Sequence, residues 1–267
     1  MGIKKGLSGN QLKTLGIILM TVNHLELLFY PTLIQMPLLN FLSQVSGPAV
    51  APLFIYLSSE GYFYTRNKKR YMGSLLLGFW SVSIMKFVLI NLLNLDSDYE
   101  NLLFMNIFGG IFQAVLAMYL YDLIVTEFKR KQWAKLIGCI IILIGLLTAM
   151  FWMSLLKNPQ LINIGMNILP VVVEGAPVLP LLGLLFYIFR KNKIMILLIA
   201  TLFVLPNSLS DILTNGFSGG IWPALFLPIL IYFYNGKRGF GPNKYFFYVY
   251  YPLHISLFII INHFFIN

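Results

Sequence analysis

The sequence predicts an all-α fold: a polytopic bundle of about nine transmembrane helices, forming one domain over residues 1–267. Three observations lead there. Of the 267 residues, 58% are hydrophobic and 10% charged, and the mean hydropathy is +0.80, whereas a soluble domain carries about 25% charged residues. Apolar runs of roughly 20 residues recur from end to end, which suits membrane-crossing helices and not the alternating pattern of a β-barrel. The basic residues also gather in short clusters between alternate runs, as the positive-inside rule requires.

The expected spans cover residues 12–31, 37–64, 71–94, 101–127, 134–156, 162–189, 193–207, 218–235 and 245–265. Lys4, Lys5 and Lys13 precede the first, and Arg66, Lys68, Lys69 and Arg70 follow the second. Further clusters follow the fourth, sixth and eighth. All but Lys86 and Lys157 of the 19 Lys and Arg residues then fall on one side. Asp96, Asp98, Glu100 and Asp211 fall on the other. This predicts a multi-pass membrane protein with a cytoplasmic N-terminus. The net charge of +10 belongs to that topology and implies no nucleic-acid partner.

Lys4 and Lys5 precede an apolar run as in a signal peptide. No small-residue cleavage site follows, so the run is read as the first span. Cys139 lies alone in an apolar helix and acts as a small apolar residue. The sixth span contains Pro170, Gly175, Pro177 and Pro180 and is expected to be broken or re-entrant. The seventh is short, and residues 207–220 read as an outer loop rich in turn formers.

Polar residues at depth carry the functional signal. At 1.5 Å rise per residue, His24 is about 16 Å beyond Lys13, and His254 about 15 Å beyond Lys244. Histidines on the first and last spans therefore reach the same level, near the middle of a core about 30 Å thick. Asn23 and Glu26 flank His24. Glu60 and Asp122 lie nearer the basic side, and Lys86 and Glu174 share a deeper level where they would form an ion pair. No phosphate-binding glycine loop, serine-hydrolase elbow or zinc-protease motif is present, and the three dispersed histidines do not suit a metal site.

Four runs resemble the TraX family: LKTLGIILMTVNH at 12–24, GPAVAPLFIYLSSEGYFYTRNKKRY at 47–71, NLLFMNIFGG at 101–110 and YNGKRGFGPNKYFFYVYYPLH at 234–254. They cover about a third of the chain in the family's order. Members are bacterial membrane proteins associated with N-terminal acetylation of F-type pilin. The family is similar to a wider group of transmembrane acyltransferases that use an intramembrane histidine and cytoplasmic acyl-CoA. The resemblance makes His24 the catalytic base, matches Glu60, Gly61, Thr65 and Arg66 to the second motif, and matches Tyr251, Pro252 and His254 to the C-terminal one. The chain departs from the family at Asn23, where Asp is usual.

The expected activity is acyl-CoA-dependent transfer of an acetyl or short acyl group to an amine or hydroxyl. The acceptor would be an exported peptide, a pilin-like subunit or a glycan. His24 would act as base, with Asn23, Glu60 and His254 beside it in the catalytic set. Arg66, Lys68, Lys69, Arg70, Lys237 and Arg238 would hold the phosphates of acetyl-CoA. Glu26, Tyr251 and Glu174 would face the acceptor, and no metal is expected. Two other readings are a carrier with His24, Glu60, Asp122 and His254 as a relay, and a non-catalytic scaffold of a surface-structure pathway.

Overall fold

The computed structural model describes residues 6–29, 36–95, 106–215 and 222–265. Among them the fold is all α, with ten helices and no strand beyond one isolated bridge between Leu7 and Tyr234. The helices are α1 (Gly9–Phe29), α2 (Pro37–Tyr64), α3 (Lys68–Leu93), α4 (Ile107–Lys129) and α5 (Trp133–Leu156). They continue with α6 (Pro159–Asn167), α7 (Val178–Ile188), α8 (Lys193–Asn215), α9 (Trp222–Phe233) and α10 (Lys244–Phe265). By length and apolar composition, α2, α3, α4, α5 and residues Tyr245–Phe265 of α10 can each cross a membrane. The protein is an all-α helical membrane bundle.

The chain packs as two compact units, Met1–Leu57 with Phe189–Asn267, and Ser58–Ile188. In the first unit α1 packs against α10, and α8 against α9. The start of α1 is secured by a capping box. Ser8 N–H donates to Gln11 Oε1 at 2.8 Å, and the Gln11 N–H returns to Ser8 Oγ at 3.3 Å. The next N–H groups of that turn, of Gly9 and Asn10, donate to the carbonyls of Lys237 and Arg238 at 2.8 and 2.9 Å. A first turn normally leaves these donors unpaired. Here the basic loop before α10 takes them, and Asn10 Nδ2 adds a bond to Gly239 O. The loop lies so close that a Cβ on Gly239 would stand 2.1 Å from Ser8 Oγ.

The second unit is built around α4, which contacts α3, α5 and α7. Its glycines set how closely the chain approaches. A Cβ on Gly109 would meet Val173 Cγ1 at 2.6 Å and the Phe79 ring at 3.1 Å. The outer helix α5 is apolar all round, and Leu136 is its one buried residue among those described. An exposed face of Ile, Leu, Phe and Trp is what lipid contact calls for.

The expected break in the sixth span is present as two short helices, α6 and α7. Asn158 caps α6 through its Oδ1, with Pro159 in the first turn. The open backbone between the two helices is satisfied by protein: Gln113 Nε2 donates to Pro170 O and Val171 O at 2.8 and 2.9 Å, and Trp80 Nε1 to Ile168 O at 2.9 Å. Irregular backbone in an apolar setting requires such partners.

One expectation is corrected. The seventh span does not stop near residue 207, because α8 continues through Pro206 to Asn215. Ser208 is 1% exposed, so this residue packs inside the protein and not in a surface turn, although Leu209 and Leu213 on the same helix are exposed.

Gly109→Val should lower the thermal midpoint of detergent-purified protein by overpacking, at a cost of about 1–3 kcal/mol. Gly73→Val, where no atom lies within 4 Å of the built Cβ, is the control. Equal midpoints for the two variants would contradict the close approach at Gly109.

Candidate functional site: an imidazole pair

His24 and His254 lie in the first unit, on α1 and α10. Both helices run away from the basic loop in the same direction, which brings equal depths together. His24 Nδ1 and His254 Nε2 are 2.8 Å apart. The rings are nearly parallel, with centroids 5.1 Å apart and planes 14° apart. His254 is buried and His24 half-buried.

The protons of this pair follow from its partners. His254 Nδ1 lies 2.9 Å from the carbonyl oxygen of Tyr250. A carbonyl only accepts, so His254 Nδ1–H donates. With that ring neutral, His254 Nε2 carries a lone pair and accepts the Nδ1–H of His24. A neutral His24 then carries its own lone pair on Nε2, and no described residue donates a hydrogen bond to it. The chain of contacts thus directs one basic nitrogen, His24 Nε2, away from the pair. Tyr251, 4% exposed, closes one side, with its ring edge-on to His24 at 6.1 Å and to His254 at 5.7 Å. Phe258 stands edge-on to His254 at 5.8 Å.

Asn23 and Glu26 face elsewhere. Consecutive helical positions differ by about 100°, so Asn23 cannot share the face of His24. Its Nδ2 donates to Ser43 Oγ on α2 at 3.3 Å, and Ser43 Oγ donates to Glu26 Oε2. Gly47, one turn beyond Ser43, leaves room for the amide, since a Cβ there would lie 3.3 Å from Asn23 Nδ2. Asn23 was expected to orient His24, and it joins α1 to α2 instead. Glu26 was expected on the acceptor side, and it receives the Ser43 hydroxyl. Glu60 is 17 residues beyond Ser43, about 25 Å along α2, in the part that packs with the second unit. The partner that His24 has is His254.

In the second unit, Asp122 gathers three donors. Tyr62 OH and Tyr187 OH reach its two oxygens at 2.8 Å each, and Lys68 Nζ forms an ion pair with it. Lys68 also sits 4.2 Å from the centroid of the Tyr62 ring. Of the six basic residues assigned to phosphate, Lys68 is therefore already neutralised. Arg66, Lys69 and Arg70 of the second unit and Lys237 and Arg238 of the first have exposed side chains. The ion pair expected between Lys86 and Glu174 does not form. Lys86 is 5% exposed on α3, and Glu174 stands in the break before α7. Equal depth fixed their level but not their bearing around the helices.

The sequence reading missed Ser43, Thr21, Tyr62 and Tyr187. Thr21 precedes His24 by three residues and Tyr250 precedes His254 by four, so helical spacing alone places each pair on one face. Tyr62 and Tyr187 meet across 125 positions and leave no local signal.

The TraX protein family matches residues 8–262, nearly the whole chain. The chain belongs to the TraX family. It is also 27% identical over 264 residues to a protein of Dichelobacter nodosus named probable fimbrial assembly protein FimC, serogroup H1, covering 94% of this chain and 93% of that one. No solved structure matches it. The family match extends well beyond the four resembling runs and takes in Ser43, whereas Thr21 and Tyr250 already lie inside those runs.

Asn23→Asp would remove the donor to Ser43 and set a second carboxylate on the hydroxyl that Glu26 already uses. The expected loss is about 1–2 kcal/mol in thermal unfolding. Asn23→Asp combined with Glu26→Gln should recover much of it, whereas additive losses would break the proposed chain of bonds.

Proposed function

We propose that this protein is a membrane-embedded acyltransferase. It would move an acetyl or short acyl group from cytoplasmic acyl-CoA to an amine or hydroxyl of an exported acceptor. The observation that supports this best is the imidazole pair, which leaves one neutral, partly accessible histidine nitrogen held in a single tautomer. Acyl transfer from a thioester needs such a base near neutral pH. In this reading the basic loops face the cytoplasm across about nine spans, and the acyl donor approaches from that side.

The step is as follows. The acceptor's nitrogen or oxygen bonds to the thioester carbonyl carbon while its proton passes to His24 Nε2. The charge that appears on His24 is shared through Nδ1–H with His254 Nε2, and beyond it with the Tyr250 carbonyl. The carbon–sulfur bond then breaks, and the proton on Nε2 passes to the leaving sulfur. The products are an amide or ester and the free thiol of coenzyme A, with both rings neutral again. His254 thereby supplies the orientation that the family's usual Asp at position 23 suggested a carboxylate would give.

Lys237 and Arg238 are the candidate phosphate anchors of the first unit. Their carbonyls hold the head of α1, and His24 is 14 residues further along, about 21 Å at helical rise. That is a distance of the order an extended pantetheine arm covers. Arg66, Lys69 and Arg70 are the corresponding candidates on the second unit. The relative's name, a fimbrial assembly protein, favours a pilin-like peptide among possible acceptors.

His24→Asn keeps a similar shape and removes the base. In proteoliposomes given radiolabelled acetyl-CoA and a peptide acceptor, it should cut transfer by about 100-fold or more and keep acetyl-CoA binding. Transfer at the parental rate would refute the mechanism. No acetyl-CoA binding by the parent protein would favour a carrier or scaffold. The pair Lys237→Gln and Arg238→Gln should weaken acetyl-CoA binding about tenfold at low salt and much less at high salt, where exposed charges are screened.

A further inference from the structure

The imidazole pair is one hydrogen-bonded rung between α1 and α10, and there is a second. The second lies about one turn nearer the basic loop, where Thr21 Oγ1 and Tyr250 OH are 2.7 Å apart. Thr21 Oγ1 also lies 2.8 Å from the carbonyl of Ile17, and this bond takes its only hydrogen. Tyr250 O–H is therefore the donor to Thr21.

Tyr250 touches the histidines in two further ways. Its carbonyl takes the Nδ1–H of His254, and its ring stacks on the His254 ring at 4.9 Å with 16° between planes. One residue thus fixes the proton position, the plane and the lateral place of His254, while its hydroxyl ties that arrangement to the helix carrying His24. Functional groups need to be held within about 0.5 Å, and small helix rotations exceed that. A ring that swings away from Tyr250 O loses the acceptor that keeps hydrogen on Nδ1.

We propose that Thr21 and Tyr250 are positioning residues whose hydroxyl–hydroxyl bond locks the proton arrangement of the imidazole pair, so that His24 presents Nε2 as its basic nitrogen. The kinetic part of this inference rests on the acyl-transfer reading above. The tautomer part does not.

Tyr250→Phe keeps the ring and the carbonyl and removes the hydroxyl. Thr21→Val keeps the shape and removes the other, and Thr21→Ser restores a hydroxyl. Histidine-labelled protein in lipid nanodiscs, read by nitrogen NMR, should show Nδ1–H tautomers for His24 and His254 in the parent. Each hydroxyl-deleted variant should show a mixture of tautomers, and Thr21→Ser should return to the parental signals. In proteoliposomes kcat should fall about fivefold to tenfold in each, with KM for acetyl-CoA unchanged, the size of one lost hydrogen bond. The double variant should be no worse than the poorer single one, because both remove the same bond.

Unchanged histidine signals in folded Tyr250→Phe and Thr21→Val would overturn the proposal. So would lowered thermal midpoints with parental tautomers, the mark of a purely structural bond. If the parent protein transfers no acetyl group, the acyl-transfer reading falls, and the NMR comparison still decides the positioning role.

Discussion

A polar side chain surrounded by apolar groups has to find its partners within the protein, and that constraint shapes the first helix. Asn23, His24 and Glu26 stand within four residues, and at about 100° per residue Glu26 lies about 60° from Asn23 and about 160° from His24 around the helix axis. No single neighbour can satisfy all three. Two neighbours therefore have to pack on α1 from different sides. α10 takes the face with Thr21 and His24, and α2 takes the face with Asn23 and Glu26. The three polar residues that look like a liability in an apolar run specify how α1 is held. The depth of each bond follows from the basic loop, which caps α1 through Lys237 and Arg238 and leads directly into α10.

The same constraint governs the second unit with different chemistry. The break before α7 exposes backbone carbonyls, and Gln113, 0% exposed on α4, reaches two of them. Asp122 is satisfied by two tyrosine hydroxyls and one ammonium group. A half-buried carboxylate with one donor would be costly. Three donors make it a stable junction of α3, α4 and α7 with the last turns of α2. This accounts for Lys68 standing in the first turn of α3, where a cation is disfavoured by the helix dipole. Asp122 offsets it, and among the described residues the neighbouring Lys69 and Arg70 form no ion pair.

Much of this was legible in the sequence, and the boundary of legibility has a physical form. Run lengths placed helices such as α2, and prolines marked the break between α6 and α7, because both depend on local backbone chemistry. Depth was legible too, since charge clusters mark the membrane edge and rise per residue is constant. It put His24 and His254 on one level, and they are bonded. Bearing around the helix was not legible. Lys86 and Glu174 share a level without meeting, and Asn23 turns from the residue beside it. Thr21 and Tyr250 were within reach of the same spacing argument, but hydroxyls are too common in apolar helices to stand out. Asp122's tyrosines were out of reach, because only the packed helices bring them together.

The choice of imidazole over carboxylate as the partner of His24 has its own logic. A carboxylate in that place would be a permanent charge in an apolar setting, with the desolvation cost that this carries. A neutral imidazole orients His24 through one hydrogen bond and bears charge only after a proton has arrived. Its weakness is that orientation now depends on its own tautomer, which a carboxylate does not have. A neutral histidine hydrogen-bonded only to a second neutral histidine has two equivalent proton arrangements. The Tyr250 carbonyl removes that degeneracy, since it accepts and cannot donate. An imidazole pair can therefore replace a carboxylate–imidazole pair only where a third group with fixed polarity closes the chain, and on α10 that group is the backbone one turn below.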